Sequence, residues 1–261
     1  MSEKSDTNQK SPSRRKGIQS VEVGIRVLEA LVSLGEPATL RTVAQASGVS
    51  GSQAHRYLSS LIATGMAQQD SLSGRYDLGP AALQLGLGAL ARIDAFKITD
   101  SAITEFVQRT GWTVQIAALG PMGPTIVRWH MGKPAVMTSF NVGSVLPLLF
   151  SATGRVFLSF ASAAETGPLL AQEMENSGIS QAEVDDLRAR VRVEGRAAVE
   201  GILLPGLRAI AFPIFDIQKR PILCATALST QAVKWQEGDA RLSDLSKTCR
   251  FISQQLGWKE N

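Results

Sequence analysis

The stretch Ser50-Gly51-Ser52-Gln53-Ala54-His55-Arg56 places hydroxyls, a carboxamide, an imidazole and a guanidinium within seven residues. These groups suit the edges of bases and the phosphates between them. A glutamine pairs bidentately with adenine, and an arginine reaches guanine or a phosphate. Serine hydroxyls and the free amides of a helix N-terminus hold phosphate oxygens. Apolar Ala54, Leu58, Leu61 and Ile62 recur at helical spacing, which predicts a helix running to about Ala63 with these residues inward. Ser52, Gln53, His55, Arg56 and Ser59 then lie off the apolar stripe, where a groove-reading helix needs its polar side chains. Gly51 has no side chain to hold the backbone away from a ligand. For His55, phosphate contact and surface filler are both open; Tyr57 is expected in core packing. A solvated polar face would look the same in isolation, so the surrounding elements decide.

Those elements form an ordered series. Ile18 to Ser33 reads as a helix carrying Val21, Ile25, Leu28 and Val32, and Gly35-Glu36-Pro37 ends it. Thr39 caps a second, short helix with Ala44 turned inward and Arg41 near its start, placed to meet a phosphate. Ser47-Gly48-Val49-Ser50 is a tight turn in which Gly48 suits a positive φ. Ser50 or Ser52 caps the third helix, and Gly65 stops it. Met66–Gln69 and Arg75–Leu78 read as strands joined by Asp70-Ser71-Leu72-Ser73-Gly74. Helix, helix, turn, helix and hairpin make a winged helix-turn-helix. Arg75 falls on the wing, where a cation tracks the minor groove or the backbone. Residues 1–16 are polar and read as a disordered arm tipped by Arg14, Arg15 and Lys16. Pro80 opens a linker helix to about Phe96 whose stripe is Leu83, Leu87, Leu90 and Ile93. That stripe serves either a dimer partner or packing on its own chain.

Beyond Asp100 the pattern changes. A helix around Ile103–Thr110 precedes strands at Thr113–Leu119, Thr125–Met131 and Ala135–Thr138. Helices follow at Ala152–Ala163 and Ser180–Val193, strands at Leu207–Phe215 and Ile222–Ser229, and a last helix over Glu237–Leu256. The fold class is therefore α+β. A winged helix-turn-helix domain spans 17–80 and a linker helix 81–97. A C-terminal domain with an antiparallel sheet spans 98–261. Residues 1–97 carry 11 Lys/Arg against 8 Asp/Glu, and residues 98–261 carry 16 against 15, so the positive excess sits in the shorter N-terminal part.

Cys224 and Cys249 have no zinc or disulfide-framework spacing. With no apolar leader and no run of about 18 apolar residues, a cytoplasmic protein without a membrane span is expected. An enzyme is the main rival class. The chain has two histidines, His55 and His130, and no G-x-S-x-G elbow. His130 beside Trp129 reads as structural. Gly86-Leu87-Gly88-Ala89-Leu90-Ala91 fits a dinucleotide fingerprint in letters, but it lies inside a helical stripe rather than after a strand. No catalytic residue, metal or cofactor is expected. A second rival is a winged-helix module for RNA or protein contacts.

The series of motifs resembles the IclR family of bacterial transcriptional regulators. In the N-terminal part the resemblance rests on Gly17-Ile18-Gln19-Ser20-Val21-Glu22, Val27-Leu28-Glu29-Ala30-Leu31, Gly48-Val49-Ser50, Arg56 with Leu58, and Tyr76-Asp77-Leu78-Gly79. It continues with Gly111-Trp112-Thr113, with Leu146-Pro147-Leu148 before Ser151-Ala152-Thr153-Gly154-Arg155, and with Gly206–Asp216. Together these cover about 17–258. The resemblance implies an operator-binding regulator, dimers joined through the DNA-binding part and often dimers of dimers. It also implies a GAF-like sensor domain for small organic acids, frequently aromatic. The family's pocket, carried over, points to Ala152 and Thr153 at a helix N-terminus, to Ala209, Thr226 and Leu228 on the sheet, and to Glu200. Close helix–sheet packing is the competing role for Ala152 and Gly154. Arg155 stands where the family usually has lysine, and Cys224–Ser229 lacks its usual alternating serines. A one-residue shift there would put Ala227 and Ser229 in the pocket instead. Few polar anchors remain, which implies an effector larger or more apolar than glyoxylate or pyruvate.

Overall fold

The computed structural model of the chain describes residues 18–90, 94–230 and 238–260. The expected arm at 1–16, Ile93 of the linker stripe and Glu237 at the expected start of the last helix lie outside them. The chain divides into two units, Met1–Ile93 and Asp94–Asn261.

The first unit holds α1 (Gln19–Leu34), α2 (Leu40–Ser47), α3 (Gly51–Ala63), β1 (Ala67–Gln69), β2 (Tyr76–Leu78) and α4 (Pro80–Leu90). Its core is Val27, Leu31, Val43, Leu58, Ala67 and Tyr76. The two strands pair antiparallel, and Ala38 adds a bridge to Tyr76. On α1 the expected row is not the core row. Val23, Val27, Ala30 and Leu31 are buried, whereas Val21, Ile25 and Val32 are about half exposed. The helix has two apolar faces, and only one meets α2 and α3. Ile62 of α3 is likewise exposed rather than inward. Leu83 and Leu87 of α4 face solvent at 66% and 55% exposure, so these two do not pack within their own unit.

The second unit holds α5 (Ala95–Thr110), β3 (Thr113–Gly120), β4 (Gly123–His130), α6 (Ala152–Phe160), α7 (Ala163–Ser177), α8 (Gln181–Glu194), β5 (Ala197–Glu200), β6 (Arg208–Phe215), β7 (Pro221–Ser229) and α9 (Ala240–Gln255). Asp94 caps α5 by accepting from the amides of Phe96 and Lys97, so Ala95 and Phe96 belong to this helix and not to a longer linker helix. The sheet is antiparallel in the order β4-β3-β7-β6-β5. Strand alternation sends Val114, Ile116, Ile210, Phe212 and Ala225 to the side of α5 and α9. Ala117, Ala209, Ala211, Cys224 and Leu228 go to the side of α6.

Three segments differ from the sequence reading. Ala135–Thr138 is not a strand: after the Lys133–Pro134 bond, Val136 turns its amide onto the Thr113 hydroxyl at 3.2 Å. Helix α6 ends at Phe160, and α7 begins at a Ser162–Glu165 capping box, with Pro168 inside it. Strand β5 is an additional edge strand.

Gly154 sets how closely α6 approaches its neighbours. A Cβ there would meet the Pro147 carbonyl oxygen at 2.0 Å and Leu148 Cα at 2.6 Å. Both are backbone, which cannot yield as a side-chain tip can. Gly154→Ala should therefore destabilise the second unit by about 3 kcal/mol. All four tryptophans lie in this unit, so urea unfolding followed by tryptophan fluorescence reads the loss directly.

Candidate nucleic-acid interface and effector cavity

Helix α3 buries Ala54 and Leu58 and half-buries Leu61. Ser52, His55, Arg56 and Ser59 form an exposed i, i+3, i+4, i+7 row on its other side. Ser50 is the N-cap: its hydroxyl accepts from the Gln53 amide at 3.3 Å, and Gln53 Oε1 accepts from the Ser50 amide at 3.3 Å. The Ser50 hydroxyl also lies 3.1 Å from that of Ser52. This capping box changes the reading of Gln53. A bidentate pair with adenine needs both Oε1 and Nε2, and Oε1 is already engaged at the cap. Gln53 also sits on the flank of the exposed row, whereas Arg56 stands within it.

Arg41 is exposed on α2, and neither it nor Arg56 has an ion pair to a described residue. Arg75 is exposed but tethered, its guanidinium donating to the Pro37 carbonyl at 3.0 Å. It braces the root of the wing as well as facing solvent. At the wing tip the Asp70 carboxylate accepts from the Ser73 amide and hydroxyl, which hold its pKa below the usual carboxylate range. Leu72 is 97% exposed there, a wing-tip residue that the sequence reading did not single out.

In the second unit a small cavity lies between the N-terminal end of α6 and the sheet. Ala152, Thr153, Ala209 and Leu228 line it. Thr226 stands just behind, its hydroxyl 2.8 Å from that of Thr153. Thr226 and Leu228 therefore face α6 while Ala227 packs on the other side, which settles the register of the Cys224–Ser229 strand. Glu200 does not belong to the cavity. Strand alternation turns Val199 toward it and Glu200 to the opposite face, where Glu200 pairs with Arg208 at 2.7 Å.

The sequence reading missed Gln115, Thr138, Phe140 and Ser151, and the segment Ile202–Leu204 that closes the cavity. Gln115 was the legible one: a single carboxamide at an inward position of an otherwise apolar strand. Ser151 caps α6, its hydroxyl accepting from the Gly154 amide at 2.8 Å and donating to the Pro147 carbonyl at 2.6 Å. Glu173 of α7 accepts from the amides of Leu148 and Leu149 and fixes the approach to the cap. Arg155 donates to the carbonyls of Leu149 and Ala198, tying that approach to β5. Below the cavity, burial pushes the Cys224 thiol up to about 12, so it stays protonated.

The free space is about 30 Å³, room for roughly one water. Its covering segment is bracketed by Gly201 and Gly206, both at positive φ, and Ile202 is 47% exposed.

His130 lies outside both sites. Its Nδ1 is 3.3 Å from the Thr104 hydroxyl and its Nε2 is 3.3 Å from Asp100. Burial lowers its pKa, against the pull of Asp100, so the imidazole is a packed structural group.

Two family models match the chain. The IclR helix-turn-helix domain matches residues 20–71, and the bacterial transcriptional regulator IclR C-terminal domain matches residues 87–256. The chain belongs to the IclR family. The regulator XynR of Escherichia coli is 24% identical over 92% of this chain and 98% of its own length. BhcR of Paracoccus denitrificans is 25% identical over 93% and 87%. Among solved structures, Pseudomonas aeruginosa HmgR is 34% identical, covers 94% of this chain and 100% of its own, and superposes with a TM-score of 0.81. This IclR-family chain is accordingly a transcriptional regulator with a DNA-binding helix-turn-helix. Among its described residues no helix is long and apolar enough to cross a membrane.

The cap on α3 can be checked without DNA. Ser50→Ala should cost about 1 kcal/mol of stability in the first unit. Amide hydrogen exchange in the first turn of α3 should rise accordingly, with the second unit unchanged.

Proposed function

We propose that this regulator binds a double-stranded operator as a homodimer or dimer of dimers in the cytoplasm. A small organic acid, held in the α6 cavity, changes its operator affinity. We read it as having no catalytic turnover of its own. The observation that carries the reading is the cavity, with one polar wall at a helix N-terminus and apolar walls elsewhere. Free amides and the helix dipole at such an end favour a carboxylate. An IclR homologue from Microbacterium hydrocarbonoxydans, 19% identical with a TM-score of 0.51, was solved with 4-hydroxybenzoate bound, which supports an aromatic acid as one candidate. A ligand of that size requires the Gly201–Gly206 segment to move outward.

At the DNA, Arg56 and Ser52 face the major groove, His55 and Ser50 lie beside phosphates, and Arg41 and Arg75 hold the backbone. Gln53 contributes to base reading once it releases its cap. Dimerisation follows from the second apolar row of α1. The N-cap Ile18 and then Val21, Ile25, Leu28 and Val32 repeat at the 3-4 spacing of a coiled-coil seam, and four of the five are about half exposed or more. Exposed Leu83 and Leu87 on α4 extend the apolar surface available to a partner. A dimer sets two recognition helices into successive major grooves, about 34 Å apart. Coupling of about 1–3 kcal/mol between acid and operator gives a roughly 5–150-fold change in DNA affinity.

Two measurements test this. A thermal-shift screen of aromatic and short-chain carboxylic acids should find one that stabilises the second unit. At about 100 times its Kd the gain is about 2.7 kcal/mol. The same acid should shift a gel-retardation titration on the DNA upstream of the regulator's own gene. An acid that stabilises the protein but leaves the gel unchanged would separate binding from regulation and contradict the coupling. Separately, Ile25→Glu should convert the assembly to a smaller species in sedimentation velocity and weaken operator binding. Its tryptophan fluorescence unfolding should stay at the parent value, because Ile25 is in the other unit.

A further inference from the structure

Gln115 carries an observation that neither packing nor the helix N-terminus accounts for. It lies on β3 between buried Val114 and Ile116, is only 5% exposed, and points to the α6 side of the sheet, where it lines the cavity. One N–H of its carboxamide donates to Thr153 Oγ1 at 3.3 Å. Thr153 Oγ1 in turn shares a 2.8 Å bond with Thr226 Oγ1, and Thr226 lies 3.9 Å from Cys224 Sγ. The threonines and the thiol thus satisfy one another inside the layer. Gln115 does not close this network. Its second N–H and its carbonyl make no hydrogen bond to a described residue, although the group is buried. One of the carboxamide's two N–H groups is used and its carbonyl oxygen is not, so most of its bonding capacity is open to a partner in the cavity.

The rest of the lining limits that partner. None of the residues around the cavity has an ionisable side chain, and most are alkyl or aromatic, among them Phe140, Leu146, Leu203 and Leu228. A ligand charge can therefore be met only by neutral donors: the N–H groups of the first turn of α6, the spare N–H of Gln115, and the hydroxyls of Thr138, Ser151 and Thr153. One carboxylate is tolerable there, because bonds from N–H groups to an ionised acceptor are the strong kind. A second carboxylate would be buried against alkyl side chains with nothing to pair it.

We propose that the Gln115 carboxamide holds the polar head of the effector, and that with it the cavity selects acids bearing a single carboxylate on an apolar body. This rests on the reading of the α6 cavity as the effector site.

The test is calorimetric titration of the full-length protein with three acids and their neutral amides. The pairs are benzoate and benzamide, phenylacetate and phenylacetamide, 3-methylbutanoate and 3-methylbutanamide; succinate and phthalate are the two-charge probes. At least one mono-acid should bind about 10-fold more tightly than its own amide, and neither diacid should bind. Gln115→Glu puts a carboxylate where the ligand's carboxylate sits. It should weaken the acid by about 10-fold or more while leaving the amide within about 3-fold, a charge-dependent split that a merely structural role does not produce. Gln115→Met, which keeps the length without the polar atoms, should also weaken the acid and serves if the Glu variant does not fold. Acid binding within about 2-fold of the parent in either folded variant would overturn the role of Gln115. A diacid that binds as well as the mono-acids would overturn the single-carboxylate rule and leave the cavity reading standing. If no compound binds the parent, the cavity reading falls, and this proposal with it.

Discussion

Helix α6 meets the sheet through small residues at one end and large ones at the other. Ala152, Thr153 and Gly154 occupy its first turn, opposite Ala209 and Thr226, while Val156, Phe157 and Leu158 fill the space further along and are almost wholly buried. Gly154 lets the helix press against the Pro147–Leu148 backbone, and Ala152 with Ala209 leaves a gap beside it. The cavity is thus a product of graded side-chain volume along one helix, in a layer otherwise filled by buried side chains. Everything attributed to ligand binding depends on that gradient. Larger side chains at the two alanines would fill the gap; an alanine at Gly154 would push the helix off its seat.

The first unit is governed by a different economy. Its core is small, and each helix gives up only one face to it. Helix α3 spends Ala54 and Leu58 inward and keeps its polar row for solvent, held in place by the Ser50–Gln53 box. Helix α1 has more apolar surface than this core can bury. Water exposure of a whole second row is unfavourable, and this excess is the surface that the proposed dimer would cover. On the proposed reading, a DNA-facing helix and a dimer-forming helix share one small unit, as symmetric recognition of a two-fold operator requires.

Much of this was legible in the sequence because it rests on local chemistry. The caps at Thr39 and Ser50, the positive-φ turn at Gly48 and the alternating strands at Thr113–Leu119 and Ile222–Ser229 are each specified by a few adjacent residues. The failures have equally physical causes. On α1 two apolar rows have similar periodicity, and only the tertiary contact with α2 and α3 selects Val23, Val27 and Leu31. Helix α7 was not read from the sequence, although its Ser162–Glu165 capping box is there; it carries Gly167 and Pro168, residues of low helix propensity. Glu200 was assigned by analogy to the pocket, but one step of strand alternation sends it to the other face. Gln115 stands out as a lone carboxamide at an inward position of β3, but nothing local says what it faces. Its meaning appears only when β3, β7 and α6 are brought together.

The central claim is that one chain holds two separate binding surfaces, a DNA-reading row on α3 and an acid cavity closed by Gly201–Gly206. Hydrogen–deuterium exchange of the intact protein reads both in one experiment, alone, with DNA from upstream of its own gene, and with an acid that stabilises it. The account predicts slower exchange across residues 50–60 with DNA, slower exchange across residues 201–207 and the start of α6 with the acid, and little overlap between the two sets. Protection by DNA confined to the second unit, or protection by the acid confined to the first, would contradict it.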